Sequence, residues 1–183
     1  MASGDDQQET ARITLEPAWI AGFVDGEGCF SVSLHRNERF ASRSFGWQIN
    51  PTFHVYQHQR HRFILEALRD TFGVGRIVSK GPGSSVLTYS VQRRKDVSGI
   101  ILPFFERHPL HVKAHDLENF ARIVDGLSRG EHFTYAGFER LVRLAYSMNG
   151  AGKQRSRTIE EILNGSSETV RRARIVDESV DGT

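Results

Sequence analysis

Cysteine is almost absent. The 183 residues hold one, Cys29, so neither an internal disulfide nor a multi-cysteine zinc site can form. No apolar run approaches the roughly 20 residues of a membrane span, and residues 1–11 are acidic and polar, unlike a secretory leader. The expected setting is intracellular and reducing, with no membrane partner. Lysine is scarce as well, four against 20 arginines. Read as codon bias from G+C-rich DNA, that ratio favours the cytoplasm of a G+C-rich prokaryote over an organelle. Acids are missing from the middle of the chain: residues 28–113 carry 13 Lys and Arg and six of the eight histidines against five Asp and Glu. Between Arg12 and Arg174 the balance is 24 basic to 16 acidic, and acidic ends bring the whole to +2. On charge alone, a polyanionic partner and a merely soluble basic surface fit equally well.

What is present suits one buried core: 38% hydrophobic residues and twelve phenylalanines. Residues 1–12 are predicted to be an acidic disordered tail, 13–150 one domain, 151–175 a polar extension with short surface helices, and 176–183 a second acidic tail. Pro17 opens a helix whose apolar side is Trp19, Ile20, Phe23 and Val24. Gly26 and Gly28 are expected to end it at positive φ. Phe30, Val32 and Leu34 then alternate with Ser31, Ser33 and His35. After a turn over 37–43, Phe45, Trp47, Ile49, Phe53 and Val55 alternate with Gln48, Asn50, Thr52, His54 and Tyr56. An amphipathic helix follows, capped by Gly73, and then two further strands split by "GPGS". "DVSGIILPFFERH" reads as a helix broken near Pro103, and two more helices come after it.

The order α-β-β-α-β-β-α predicts an α+β fold, with one antiparallel four-stranded saddle sheet and helices on a single face. The other sheet face stays polar and basic. A strand over 44–56 spans on the order of 40 Å, comparable to a DNA turn of about 34 Å, and a β-ribbon fits a major groove. The candidate contacts are Ser31, Ser33, His35, Asn37, Arg39, Arg43, Gln48, Asn50, His54, Arg76, Lys80, Thr88 and Ser90 on this face, with Arg93 and Arg94 placed for phosphates. An ordinary solvated sheet face is the competing reading. His54, His58 and His61 do not make a convincing zinc cluster, because they cross a strand-to-helix junction with no cysteine nearby.

"IAGFVDGEG", Ile20 to Gly28, resembles the LAGLIDADG signature of homing endonucleases. The element order matches that family's fold over Leu15 to Asn149, and "GVGRI" and "HPLHVK" look like its secondary signposts. The resemblance implies that two motif helices pack closely through Ala18, Ala21, Gly22 and Asp25, with Asp25 there for capping and orientation. It also places Glu27 and the Gly26 carbonyl at a metal that also meets a scissile phosphate. Mg²⁺ is the implied cofactor, Mn²⁺ its substitute, and Ca²⁺ supports binding without cleavage. Matching by strand position adds Lys113 for transition-state charge, Gln57 for ordering water, and His61 where relatives carry a permanent base. The family often has Asp where this chain has Glu27.

A second motif is wanting. "IVDGLSRG" begins correctly, but Leu127 stands where the acid should be. One motif implies a homodimer on a long pseudo-palindromic double-stranded DNA site. The implied function is an intron-encoded, site-specific endonuclease. The alternatives are a maturase acting on intron RNA or a non-cleaving DNA-binding regulator of the same fold. A purely structural module would explain Gly22 but neither Glu27 nor the basic face.

Overall fold

The computed structural model describes residues 13–37, 39, 45–150 and 156–164. Arg43, the two acidic tails and residues 151–155 lie outside the described residues. Helix α1, Pro17–Glu27, starts with proline in its first turn and buries Ile20, Ala21 and Val24. It does not stop at a left-handed glycine. Gly28 is extended (φ −80°, ψ 163°) and passes straight into β1, Gly28–Arg36, while its N–H bonds the Val24 carbonyl. Glycine is needed here for space: a Cβ would lie 2.6 Å from both Val24 Cγ1 and Val24 O.

Strand β1 pairs antiparallel with β2, Trp47–His58, in the register Phe30↔Phe53. The strand begins later than the alternation suggests. Phe45 and Gly46 form a left-handed turn (φ 57° and 77°), and the Phe45 ring packs against Phe138 at 5.4 Å instead of continuing the ladder. After a 3₁₀ turn, Gln59–His61, helix α2 covers Arg62–Phe72 and ends at Gly73 with φ 68°, the expected left-handed cap. Strands β3, Arg76–Ser79, and β4, Val86–Val91, complete an antiparallel sheet in the order β1-β2-β4-β3. β4 meets β2 only from Phe53 onward, just past Pro51, a residue that cannot donate to a ladder.

Pro103 does not break its helix. The turn Arg94–Asp96 runs into a wide π turn, Val97–Ile101, where Leu102 N–H reaches back to the Val97 carbonyl, and then into α3, Leu102–Arg107. The missing proline donor is absorbed by widening one turn. Helices α4, Ala114–Ser128, and α5, Tyr135–Ser147, follow, the latter capped by the Thr134 hydroxyl accepting from Gly137 N–H. Part of the polar extension is anchored, not superficial: the helical turn 159–164 buries Ile162 and Leu163 in the core. At the centre of that core, Phe30 of β1 meets the rings of Phe53, Phe105 and Phe120 at 5.3, 5.7 and 5.3 Å. The strand that continues the motif helix is thereby set against α3 and α4. No helix among the described residues is long and apolar enough to cross a membrane.

Candidate active site and nucleic-acid interface

The end of α1 and the start of α4 exchange caps. The Asp25 carboxylate accepts backbone N–H groups from His111 (2.9 Å), Val112 (2.9 Å) and Lys113 (2.8 Å), the last loop residues before α4. In return the Lys113 ammonium donates to the carbonyl of Gly26 at 3.0 Å and to that of Asp25. Each charge meets the helix end that favours it: the acid faces the amino end of α4, and the cation faces the carbonyls of α1. Burial alone would raise the Asp25 pKa, but the three backbone donations and the Lys113 charge outweigh it, and the net shift is downward. Glu27, two residues on, is exposed.

Glu27, Gly26 and Lys113 are thus brought together. Gln57 lies at the same end of the sheet, two residues beyond the Gly28↔Val55 pair, with its Oε1 holding the His58 N–H at 2.8 Å. His61 sits exposed in the turn before α2, its ring 6.3 Å from Phe63, and no described contact ties it to this cluster. The donor set is sparse: among the described residues no group of three or more His, Cys, Asp or Glu is arranged to hold a metal unaided. An exposed carboxylate beside a backbone carbonyl, which accepts from Lys113 with one lone pair and keeps the other, fits Mg²⁺ of the kind held by one or two carboxylates, substrate phosphate and water.

On the sheet, register puts the predicted polar residues in rows on one face: His35 with Gln48, Ser33 with Asn50, and His54 with Ser90 and Arg76. Several restrain one another. Asn37 donates to Gln48 at 3.4 Å and accepts the Arg39 N–H at 3.2 Å, His35 meets Ser33 at 3.0 Å, and Lys80 lies 4.9 Å over the Tyr56 ring. Arg76 donates to Gln92 at 3.0 Å. Ser31 gives its hydroxyl to the Thr52 carbonyl across the pair.

Other assignments need correcting. Thr88 and Ser90 are only 6% and 3% exposed, because short side chains on the inner strands sink between longer neighbours. His54 is half-buried with Nδ1 unpartnered, and burial pushes its pKa down. Arg93 is engaged by Asp96 at 2.6 Å, and Arg94 turns to the Leu127 carbonyl at the end of α4, at 3.3 Å. Both remain exposed, each with part of its guanidinium engaged inside the chain. Arg94 also lines a groove with Gln48, Asn50, Gln92 and His132. Sequence reasoning passed over His132, whose pKa is lowered by burial and by Arg94.

The outer face of α1 shows Ala18 and Gly22 exposed, while Ala21 belongs to the chain's own core and Asp25 is committed to its loop. A Cβ at Gly22 would meet nothing within 4 Å, so nothing within this chain requires glycine there. Beside it Trp19 stacks on Phe23 at 4.8 Å, and Trp19 remains 43% exposed.

Residues 20–124 match the LAGLIDADG endonuclease family. Homing endonuclease I-ApeII of Aeropyrum pernix is 32% identical over 81% of this chain and 89% of its own length. The probable intron-encoded endonuclease 2 of Neurospora crassa is 28% identical over 74% of this chain, which spans only 29% of that relative. Among solved structures, the archaeal intron-encoded homing endonuclease I-Vdi141I complexed with DNA superposes with a TM-score of 0.75 at 27% identity, over 84% of this chain and 95% of its own. I-SmaMI, bound to an uncleaved DNA target with calcium ions, gives 0.73 at 30% identity, over 81% of this chain and 48% of its own.

Proposed function

The chain belongs to the LAGLIDADG endonuclease family, and on that footing we propose that it is a site-specific double-strand DNA endonuclease. It would work as a homodimer on a long pseudo-palindromic site, with Mg²⁺ as its metal. The observation that carries the reading is the exposed Glu27 at the end of α1, with Lys113 fixed beside it, where a continuous polar sheet face begins. A bound divalent cation would activate water and neutralise charge on the phosphate.

The chain's own part follows from its geometry. Glu27 and the Gly26 carbonyl are the candidate metal ligands. Lys113 holds positive charge within reach of the scissile phosphate, where pre-placed charge acts most strongly on a developing oxyanion. Gln57 is placed to orient water, and His61 is the more peripheral candidate. One such tip per chain cuts one strand, so cutting both strands requires two copies. The exposed small face at Ala18 and Gly22, flanked by Trp19 and Phe23, is the surface through which the copies would join.

Glu27→Gln tests the reading. The variant keeps shape but loses the charge. It should bind target DNA in Ca²⁺ with near-normal affinity and show no cleavage in Mg²⁺ by gel assay. Wild-type cutting by this variant would remove Glu27 from the active site.

A further inference from the structure

Asn149, just past α5, holds three contacts that converge on the tip. Its backbone N–H donates to Asp116 Oδ1 at 3.1 Å, its side-chain amide donates to the Phe30 carbonyl at 2.8 Å, and its Oδ1 lies 3.8 Å from the Cys29 thiol. Cys29 and Phe30 stand two and three residues after Glu27 in β1, and Asp116 stands three residues after Lys113 in the first turn of α4. Asp25, two residues before Glu27, is tied to the loop that begins the same helix. Glu27 is therefore bracketed by two ties that both end on the start of α4.

Neither anchor floats. Phe30 is fully buried among three other rings, and Met148, next to Asn149, is fully buried as well. The backbone adds a second argument. Asn149 adopts φ 51°, a left-handed conformation that glycine would take with less strain. What asparagine provides and glycine lacks is the amide that reaches Phe30.

We propose that Asn149 is a positioning residue for metal binding: it locks the first residues of β1 to the α4 platform and so fixes where the Glu27 carboxylate points. The proposal rests on Glu27 as metal ligand. The Cys29 contact is secondary, since a thiol is a weak donor.

The test measures the metal directly. Mn²⁺ binding to the protein on an uncleavable target duplex, obtained by selection from randomised DNA, is read by electron paramagnetic resonance of the free ion. Asn149→Gly keeps the backbone conformation and removes the tie. Asn149→Asp keeps size and turn tolerance but sets an acceptor against the Phe30 carbonyl. In both, Mn²⁺ affinity should fall about 10- to 100-fold, the usual cost of losing a group that orients a ligand. DNA affinity in Ca²⁺ should stay within about twofold, and the Gly variant's Tm should move by no more than about 2–4 °C. Wild-type Mn²⁺ affinity in either variant overturns the proposal. So does a loss of DNA affinity as large as the loss of Mn²⁺ affinity, which would make Asn149 a DNA-holding residue. Glu27→Gln in the same assay separates the two ideas. If it too keeps wild-type Mn²⁺ affinity, the assignment of Glu27 fails and the positioning role with it. If it loses Mn²⁺ while Asn149→Gly does not, the positioning role alone fails.

Discussion

The tip of α1 and the polar face of the sheet are built in opposite ways. At the tip, the residues on either side of Glu27 are tied down by hydrogen bonds that reach some 86 to 119 residues along the chain. On the sheet face, the polar side chains lean mostly on near neighbours, as Asn37 does on Gln48 and His35 on Ser33. The difference suits the roles proposed for each region. Chemistry at phosphorus needs a few atoms held to a fraction of an ångström. Reading a duplex needs side chains that can settle on base edges once the strands have set the register. A network that fixes everything at one place and little at the other lets the reading face change without disturbing the tip.

The largest expected effect comes from breaking the fixed region. Asp25→Asn removes the charge that gathers three backbone N–H groups, and should cost about 2 kcal/mol of stability, the scale of a lost cap with charge-assisted bonds. Cleavage should fall about 10- to 100-fold or more, because Lys113 and Glu27 lose their common reference. The pH dependence has a definite sign. The Asp25 pKa is lowered in the folded chain, so its contribution is complete above the ordinary carboxylate range and disappears as pH falls through the depressed value. The gap in ΔG between wild type and variant, measured by urea unfolding, should be widest near neutrality and close in acid. A gap that widened in acid would refute the assignment.

How far the sequence foretold these regions also differs between them. Alternation and periodicity identified every strand and long helix among the described residues, because burial on one face imposes period 2 or 3.6. The motif pointed to Glu27, and matching by strand position pointed to Lys113 and Gln57; the structure sets Lys113 on the Gly26 carbonyl and Gln57 at the same end of the sheet. What escaped notice were partnerships between distant residues. Nothing local shows that Arg94 turns to the Leu127 carbonyl, that Asn149 binds Phe30, or that the group Asp25 caps lies 86 residues away. Phe45 has strand propensity and strand phase, yet its place in the ladder is overruled by a left-handed turn and rings from α5. Ile162 and Leu163 sit in a polar stretch whose composition hid their burial. Gly28 was recognised as essential to the helix end for the wrong reason, since the cause is contact with Val24 and not backbone handedness.

Gly22→Leu breaks the comparison from outside, through assembly. Within one chain a Cβ at this exposed position meets nothing within 4 Å, and replacing glycine in a helix gains up to about 1 kcal/mol. Across two motif helices the same side chain overpacks the contact by about 1–3 kcal/mol, or about 5- to 150-fold in dimer dissociation. The two effects have opposite signs. Light scattering should show a weaker dimer, while thermal unfolding at low concentration shows a monomer no less stable. A dimer of wild-type strength would mean that α1 is not the interface.

The smallest expected effect sharpens the other side. Gln48 lies on the polar face and, among the described residues, its side chain is held by Asn37 at 3.4 Å, so Gln48→Ala should leave stability within about 0.5 kcal/mol, as surface changes usually do. Its amide can bond an adenine edge in two places, worth about 1–3 kcal/mol of discrimination. The variant should therefore relax preference at one or two symmetry-related positions of the DNA site and leave the salt dependence of binding intact. Arg94→Ala should behave differently. With its guanidinium on the Leu127 carbonyl, it should lower stability by about 0.5–1.5 kcal/mol, the worth of one hydrogen bond. Any loss of DNA affinity should be uniform across sequences. Binding selections over randomised sites, at two salt concentrations for each variant, distinguish the two. If Gln48→Ala left the selected sequence unchanged while Arg94→Ala altered it, Arg94 beside the end of α4, and not Gln48 on the strand, would be the residue that reads the DNA.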